Sequence, residues 1–152
     1  MEKIKIYAKS IAIPVVIGAT IGFIISKGID YNVLIKPKFA PPSIAFPIVW
    51  SILYIIMGIS YGILKSNDLT DKDIDSIYYI QLFFNAMWSI FFFLFKWRLF
   101  SFLWLIILDV LVLIMIYRFY KKNKVAGLLQ IPYMLWILFA SYLNIAIYLL
   151  NK

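Results

Sequence analysis

The chain has 152 residues, of which 64% are hydrophobic and only 14% charged, with a mean hydropathy of +0.93 and a formal net charge of +8. A soluble domain is about half apolar and a quarter charged, so the composition excludes an ordinary soluble domain and points to the membrane. The absence of cysteine and histidine excludes disulfides, thiolate nucleophiles and the usual haem and zinc ligands, and it removes the commonest general base; no metal or other cofactor is expected.

Crossing the hydrocarbon takes about 20 mostly apolar residues, and five stretches qualify: Ser10–Ser26, Pro47–Leu64, Ser76–Phe95, Phe100–Tyr117 and Ala126–Leu150. The runs are continuously apolar, unlike the alternating strands of a membrane barrel. The expectation is an all-α membrane protein, a single domain over residues 1–152 built as a five-helix bundle. The first stretch follows Lys3, Lys5 and Lys9, as a signal peptide would. It is long for that role and has no small-residue cleavage site before the next charges, so it reads as a retained first span. Its Gly18-x-x-x-Gly22, like Gly58-x-x-x-Gly62 in the second span, suits close helix approach, within the bundle or at a dimer face.

The first connection, from Lys27 to Phe46, carries Pro37, Pro41 and Pro42. Each proline fixes φ and disfavours helix at the residue before it, so the loop is structured and stiff. Pro47 falls in the first turn of the next helix, where a missing N–H costs nothing. Trp50 and Tyr54 follow four residues apart, on one helix face. The pattern fits a rigid lid over an aromatic pocket, and equally an ordinary loop followed by an interfacial anchor.

The second connection is acidic, with Asp68, Asp71, Asp73 and Asp75. The third span sets Gln81, Asn85 and Trp88 on one side, and the very short Lys96-Trp97-Arg98 link makes the third and fourth spans antiparallel neighbours. Asp109 lies inside the fourth span, where a central aspartate costs about 2.5–3.5 kcal/mol. No polar residue stands one turn away, so its partner is expected from the third or fifth span, and a buried structural hydrogen bond is favoured over a catalytic role. The fifth span sets Tyr133, Trp136, Ala140 and Asn144 on one side. Amides at bilayer depth either tie helices together or line a cavity; each here is accompanied by a tryptophan, which favours a small-molecule pocket. Lysines and arginines number nine on the side of the N-terminus and six on the other, which leans towards a cytoplasmic N-terminus. Anionic lipid accounts for the net charge, and no nucleic-acid partner is expected.

Several blocks together resemble the TspO/MBR family, the tryptophan-rich sensory proteins and translocator proteins also known as peripheral benzodiazepine receptors. They are Lys36 to Tyr54, Gln81 to Ser89, Leu108-Asp109-Val110, Ala126 to Trp136 and Phe139 to Asn144, in family order. The resemblance implies a cavity inside the five-helix bundle beneath the first loop, binding porphyrins and benzodiazepine-type ligands. Motif by motif it assigns Trp50, Asn85, Trp88, Trp136 and Ala140 to the cavity, with Pro41 and Pro42 in the lid and Tyr54 one turn beyond Trp50. Trp50 and Trp136 match the tryptophans associated with light-dependent porphyrin breakdown. The family also implies a homodimer, which these residues neither support nor oppose.

Three functions compete. A receptor-like protein would stack a porphyrin or related tetrapyrrole on Trp50 and Trp136, with its carboxylates reaching Lys36 or Lys38. An enzyme would degrade the bound ring in light, with tryptophan as electron donor. A tetrapyrrole or sterol transporter is weakened by the lack of an inverted repeat or charge relay. Leu143, Tyr148 and Lys152 fit the loose cholesterol-contact pattern, but as plain interfacial anchors they would look the same, so a sterol partner does not follow.

Overall fold

A computed structural model describes residues 2–152. The helices are α1 (Glu2–Ile25), α2 (Ala45–Ser66), α3 (Lys72–Ser89), α4 (Arg98–Lys122), α5 (Lys124–Leu128) and α6 (Ile131–Asn151), with no strand among the described residues. Five helical segments are long and apolar enough to cross a membrane, the fifth formed by α5 and α6 in series. The chain is a multi-pass integral membrane protein.

Two departures from the expected spans have local causes. α3 is prolonged by a wider turn over Ile90–Leu94, in which the hydrogen-bond ladder lengthens by one residue and the side chains after it rotate to new faces. The fifth span is not continuous. It breaks at Leu129–Gln130 because Pro132 lacks an N–H and its ring crowds the carbonyl four residues earlier, that of Leu128. Asn123 caps the short α5 by accepting from the Ala126 N–H at 3.1 Å.

The core lies among α2, α3, α4 and α6, around Met57, Tyr78, Val112, Phe119, Tyr133 and Ile137. α1 lies at its flank against α2, with only Ser10, Pro14 and Ile25 buried. Pro14 denies the Ser10 carbonyl its usual helical donor. A side chain at Gly58 would sit 2.6 Å from that same oxygen, so the bare glycine lets α2 close on the freed carbonyl, a backbone contact of the Cα–H···O kind. Gly62 makes room for the Tyr7 ring in the same way. Both glycines therefore serve packing within the chain.

The first connection is tied down along its length. Tyr31 donates its hydroxyl to the Pro41 carbonyl at 2.6 Å, and Lys36 donates to the carbonyls of Tyr31 and Leu34 at 3.1 Å each. Asn151 at the end of α6 exchanges two hydrogen bonds with the Ile35 backbone, at 2.9 and 2.8 Å, and Tyr142 donates to the Lys38 carbonyl at 2.9 Å. Asp30 pairs with Arg98 at 2.7 Å and with Lys96 at 3.8 Å. These bonds fasten the loop across the start of α4 and the end of α6, the latter more than a hundred residues away in sequence.

Candidate functional site

Beneath this loop a cavity of about 430 Å³ opens between α1, α2 and the end of α3. Trp50 and Tyr54 form one wall, stacked with ring centroids 5.4 Å apart and planes 28° from parallel. Gly18 and Gly22 of α1, Tyr31 and Phe46 beneath the loop, and Phe93 after α3 also line it. Gly18 is required by the Tyr54 ring, which a Cβ would overlap, whereas a Cβ at Gly22 meets nothing within 4 Å. Val15, Ala19 and Gly22 are exposed on the outer face of α1, so the mouth of the cavity faces the hydrocarbon. The lining is largely aliphatic and aromatic, with hydroxyls from Tyr31, Ser43, Ser51, Tyr54 and Ser89 and the indole N–H of Trp50 as its polar side-chain groups. No lysine or arginine is among the lining residues. Burial raises the Tyr31 hydroxyl above the usual tyrosine range, which keeps it a donor to Pro41 at any ordinary pH.

Behind this wall runs a chain of buried polar groups. Tyr54 donates to Asn85 Oδ1 at 2.7 Å, Asn85 Nδ2 donates to the Tyr133 hydroxyl at 2.8 Å, and Tyr133 donates to Gln81 Oε1 at 2.7 Å. Gln81 Nε2 ends the chain on Met57 Sδ at 3.6 Å. A second cluster is centred on Asn144, whose Oδ1 accepts from Trp88 Nε1 at 2.9 Å and from Ser101 at 3.2 Å while its Nδ2 donates to the Arg98 carbonyl at 2.8 Å. Both amides thus tie three helices together, as buried polar groups must when no water competes. Asp109 accepts from Ser141 of α6 at 2.7 Å, so its partner comes from the fifth span.

The sequence-assigned residues fall into separate places. Trp50 and Tyr54 line the cavity. Asn85 stands one hydrogen bond behind it. Trp88 and Ala140 line a distinct void of only about 20 Å³, and Tyr31, Phe46 and Phe93 are the partition shared with the cavity. Trp136 touches the edge of Phe46 at 5.9 Å and the Phe139 ring at 5.7 Å; its Nε1–H has no acceptor among the described residues. Pro41 holds Tyr31, and Pro42 is exposed, its carbonyl accepting the Ala45 N–H at 3.0 Å where α2 begins. Lys36 is turned onto loop carbonyls, and Lys38 lies over the Phe39 ring at 5.2 Å. Neither lines the cavity.

Sequence reasoning missed Tyr31, Phe46 and Phe93 as wall residues and Gly22 as an open wall position. The glycine spacing was a usable signal for the α1 face. Phe93 was not accessible, because the wide turn after Ser89 rotates it out of the helical register that ran from Gln81 to Trp88.

The sequence model described as the TspO/MBR family matches residues 10–150. The Tryptophan-rich protein TspO of Archaeoglobus fulgidus is 37% identical over 99% of this chain and 99% of its own length. Protein CrtK of Rhodobacter capsulatus is 33% identical over 88% of this chain and 85% of its own, and the Translocator protein homolog of Schizosaccharomyces pombe 33% identical over 91% and 88%.

Proposed function

The chain belongs to the TspO/MBR family, and on that premise we propose that it is a receptor-like membrane protein that takes porphyrins or related tetrapyrroles into the cavity beneath its first loop. Benzodiazepine-type compounds would compete for the same space. One observation carries the reading: an apolar cavity of about 430 Å³ is walled by the stacked pair Trp50 and Tyr54. That size and lining, large π-faces with a few hydroxyls, suit a flat apolar ligand. The mouth between the exposed Ala19 and Gly22 of α1 lets such a ligand arrive from the bilayer, where porphyrins partition. Its carboxylates would remain at the interface, since the cavity offers them no cation.

The test is a titration of protoporphyrin IX into the purified protein in detergent, in the dark, followed by quenching of tryptophan fluorescence. Saturable quenching at micromolar ligand, shifted to about tenfold higher ligand in Trp50→Ala, supports the reading. Linear quenching shared by wild type and variant overturns it, because the ligand would then merely dissolve in the micelle.

Light-driven oxidative breakdown of the bound ring is a second reading. It is favoured by the place of Trp50 on the wall, where an indole can hand an electron to a photoexcited ring. Dissolved dioxygen, taking that electron from the reduced ring, would be the oxidant that the breakdown consumes. Trp136 stands behind Phe46, so Trp50 carries the larger share of any such chemistry. Loss of porphyrin absorbance under light, abolished in Trp50→Phe and retained in Trp136→Phe, is the expected pattern. Equal loss without protein sinks it.

A further inference from the structure

At the opposite end of the bundle lies a groove of about 300 Å³ between the start of α1, the end of α2 and α3. Three lysines converge on it: Lys5 and Lys9, one turn apart on α1, and Lys65 in the last turn of α2. None of the three is in an ion pair among the described residues, whereas Lys96, Arg98 and Lys122 all are. Asp75 is committed to the Tyr61 hydroxyl, which donates to it at 2.6 Å, and Glu2 lies three residues before Lys5 on α1. Left to themselves, interfacial lysines spread outward into water. Here they border one concavity, where an anion between them would relieve their mutual repulsion.

The groove is graded. Lys5 and Ile13 both line it, and eight residues of helix separate them by about 12 Å along the axis. Its charged end, at Lys5 and Lys9, therefore lies at the water interface and its apolar end, at Ile13, inside the hydrocarbon. A soluble anion would use only the first half. An amphiphile with an anionic head uses both.

We propose that this groove binds an anionic phospholipid, with Lys5, Lys9 and Lys65 around the headgroup phosphate and the start of an acyl chain against Ile13. Basic pockets between membrane helices are suited to such headgroups, each lysine near the anionic surface adding appreciable affinity. The site stands apart from the aromatic cavity and does not depend on what that cavity binds.

The experiment is native mass spectrometry of the full-length protein, titrated with dioleoylphosphatidylglycerol or dioleoylphosphatidylcholine from a zwitterionic detergent. The expected result is preferential retention of phosphatidylglycerol, weakened about fivefold for each lysine removed in Lys5→Gln, Lys9→Gln and Lys65→Gln. Replacing all three by arginine keeps the preference, which separates lost charge from lost fold. Lys121→Gln with Lys124→Gln, basic residues outside the groove, leaves it unchanged. The proposal is overturned if the three glutamine variants bind as wild type does, or if the Lys121/Lys124 variant loses as much. Displacement of the lipid by millimolar inorganic phosphate overturns the lipid assignment in favour of a soluble anion.

Discussion

Tyr54 reaches Asn85 with a 2.7 Å hydrogen bond, so a residue on the cavity wall is also the first link of the buried chain that joins α2, α3 and α6. Tyr54→Phe leaves the ring in place and removes the donor. With no water in the bilayer core to take its place, the stranded Asn85 carbonyl costs about 1–3 kcal/mol. The expected outcome is a lower thermal midpoint with porphyrin affinity nearly unchanged. A large loss of affinity with an unchanged midpoint would reverse the roles assigned to ring and hydroxyl.

Trp50 and Trp136 separate in a binding assay. Trp50→Ala removes a stacking face from the cavity, worth about 0.5–1.5 kcal/mol beyond its area, and should weaken dark porphyrin binding about tenfold. Trp136→Phe, behind the Phe46 partition, should change affinity less than about twofold. Equal losses in calorimetric titrations of the two variants would place the ligand on both sides of that partition.

The glycines of α1 and α2 give opposite results. Gly22→Leu places a side chain in open space at the mouth of the cavity and should block binding while the protein folds normally. Gly58→Ala drives a methyl into the α1 backbone at Ser10 and Ile11, and should destabilise by about 1–3 kcal/mol with the cavity intact. Thermal unfolding and ligand binding measured on both variants check the contrast.

Asp71 caps α3 by accepting from the Ile74 N–H at 2.9 Å and pairs with Lys122 at 2.9 Å. The backbone hydrogen bond first, then Lys122, hold its carboxyl below the usual aspartate range. A group lowered on folding contributes its stability in full above its unfolded pKa and loses it as pH falls through the folded value. Acidification below about pH 4 should therefore lower the thermal midpoint of wild type more than that of Asp71→Asn, as followed by circular dichroism. Identical acid profiles would remove Asp71 from the account.

The spans were legible because lipid leaves so little freedom: a run of about twenty apolar residues can only be a helix, and Asp109 could only find its partner on another one. Ser141 is that partner. What spacing could not convey was rotation. It put Trp136 and Ala140 on one face and Trp50 and Tyr54 on another, but whether two faces meet depends on what fills the gap. Tyr31 and Phe46 fill it. The wide turn at Ile90–Leu94 and the break before Pro132 are local departures from regular helix that apolar periodicity does not register. Pro132 marked the break only in hindsight, since proline in the first turn of a helix is equally common where no break precedes it.

Two of the close contacts of the first span lie on either side of the cavity. Near Pro14 it is pressed against Gly58, and at Gly28, just past its end, a side chain would meet the Phe93 carbonyl at 2.7 Å. Between these clamps it meets the Tyr54 ring at Gly18 and passes Gly22, where an added Cβ would find nothing within 4 Å. A rod held at both ends cannot swing aside like a door; the opening beside it is a slot of fixed gap, like a letterbox. On the proposed reading such a slot should sort its guests by thickness more than by outline, admitting chemically unrelated planar molecules and refusing compact bulky ones of equal volume.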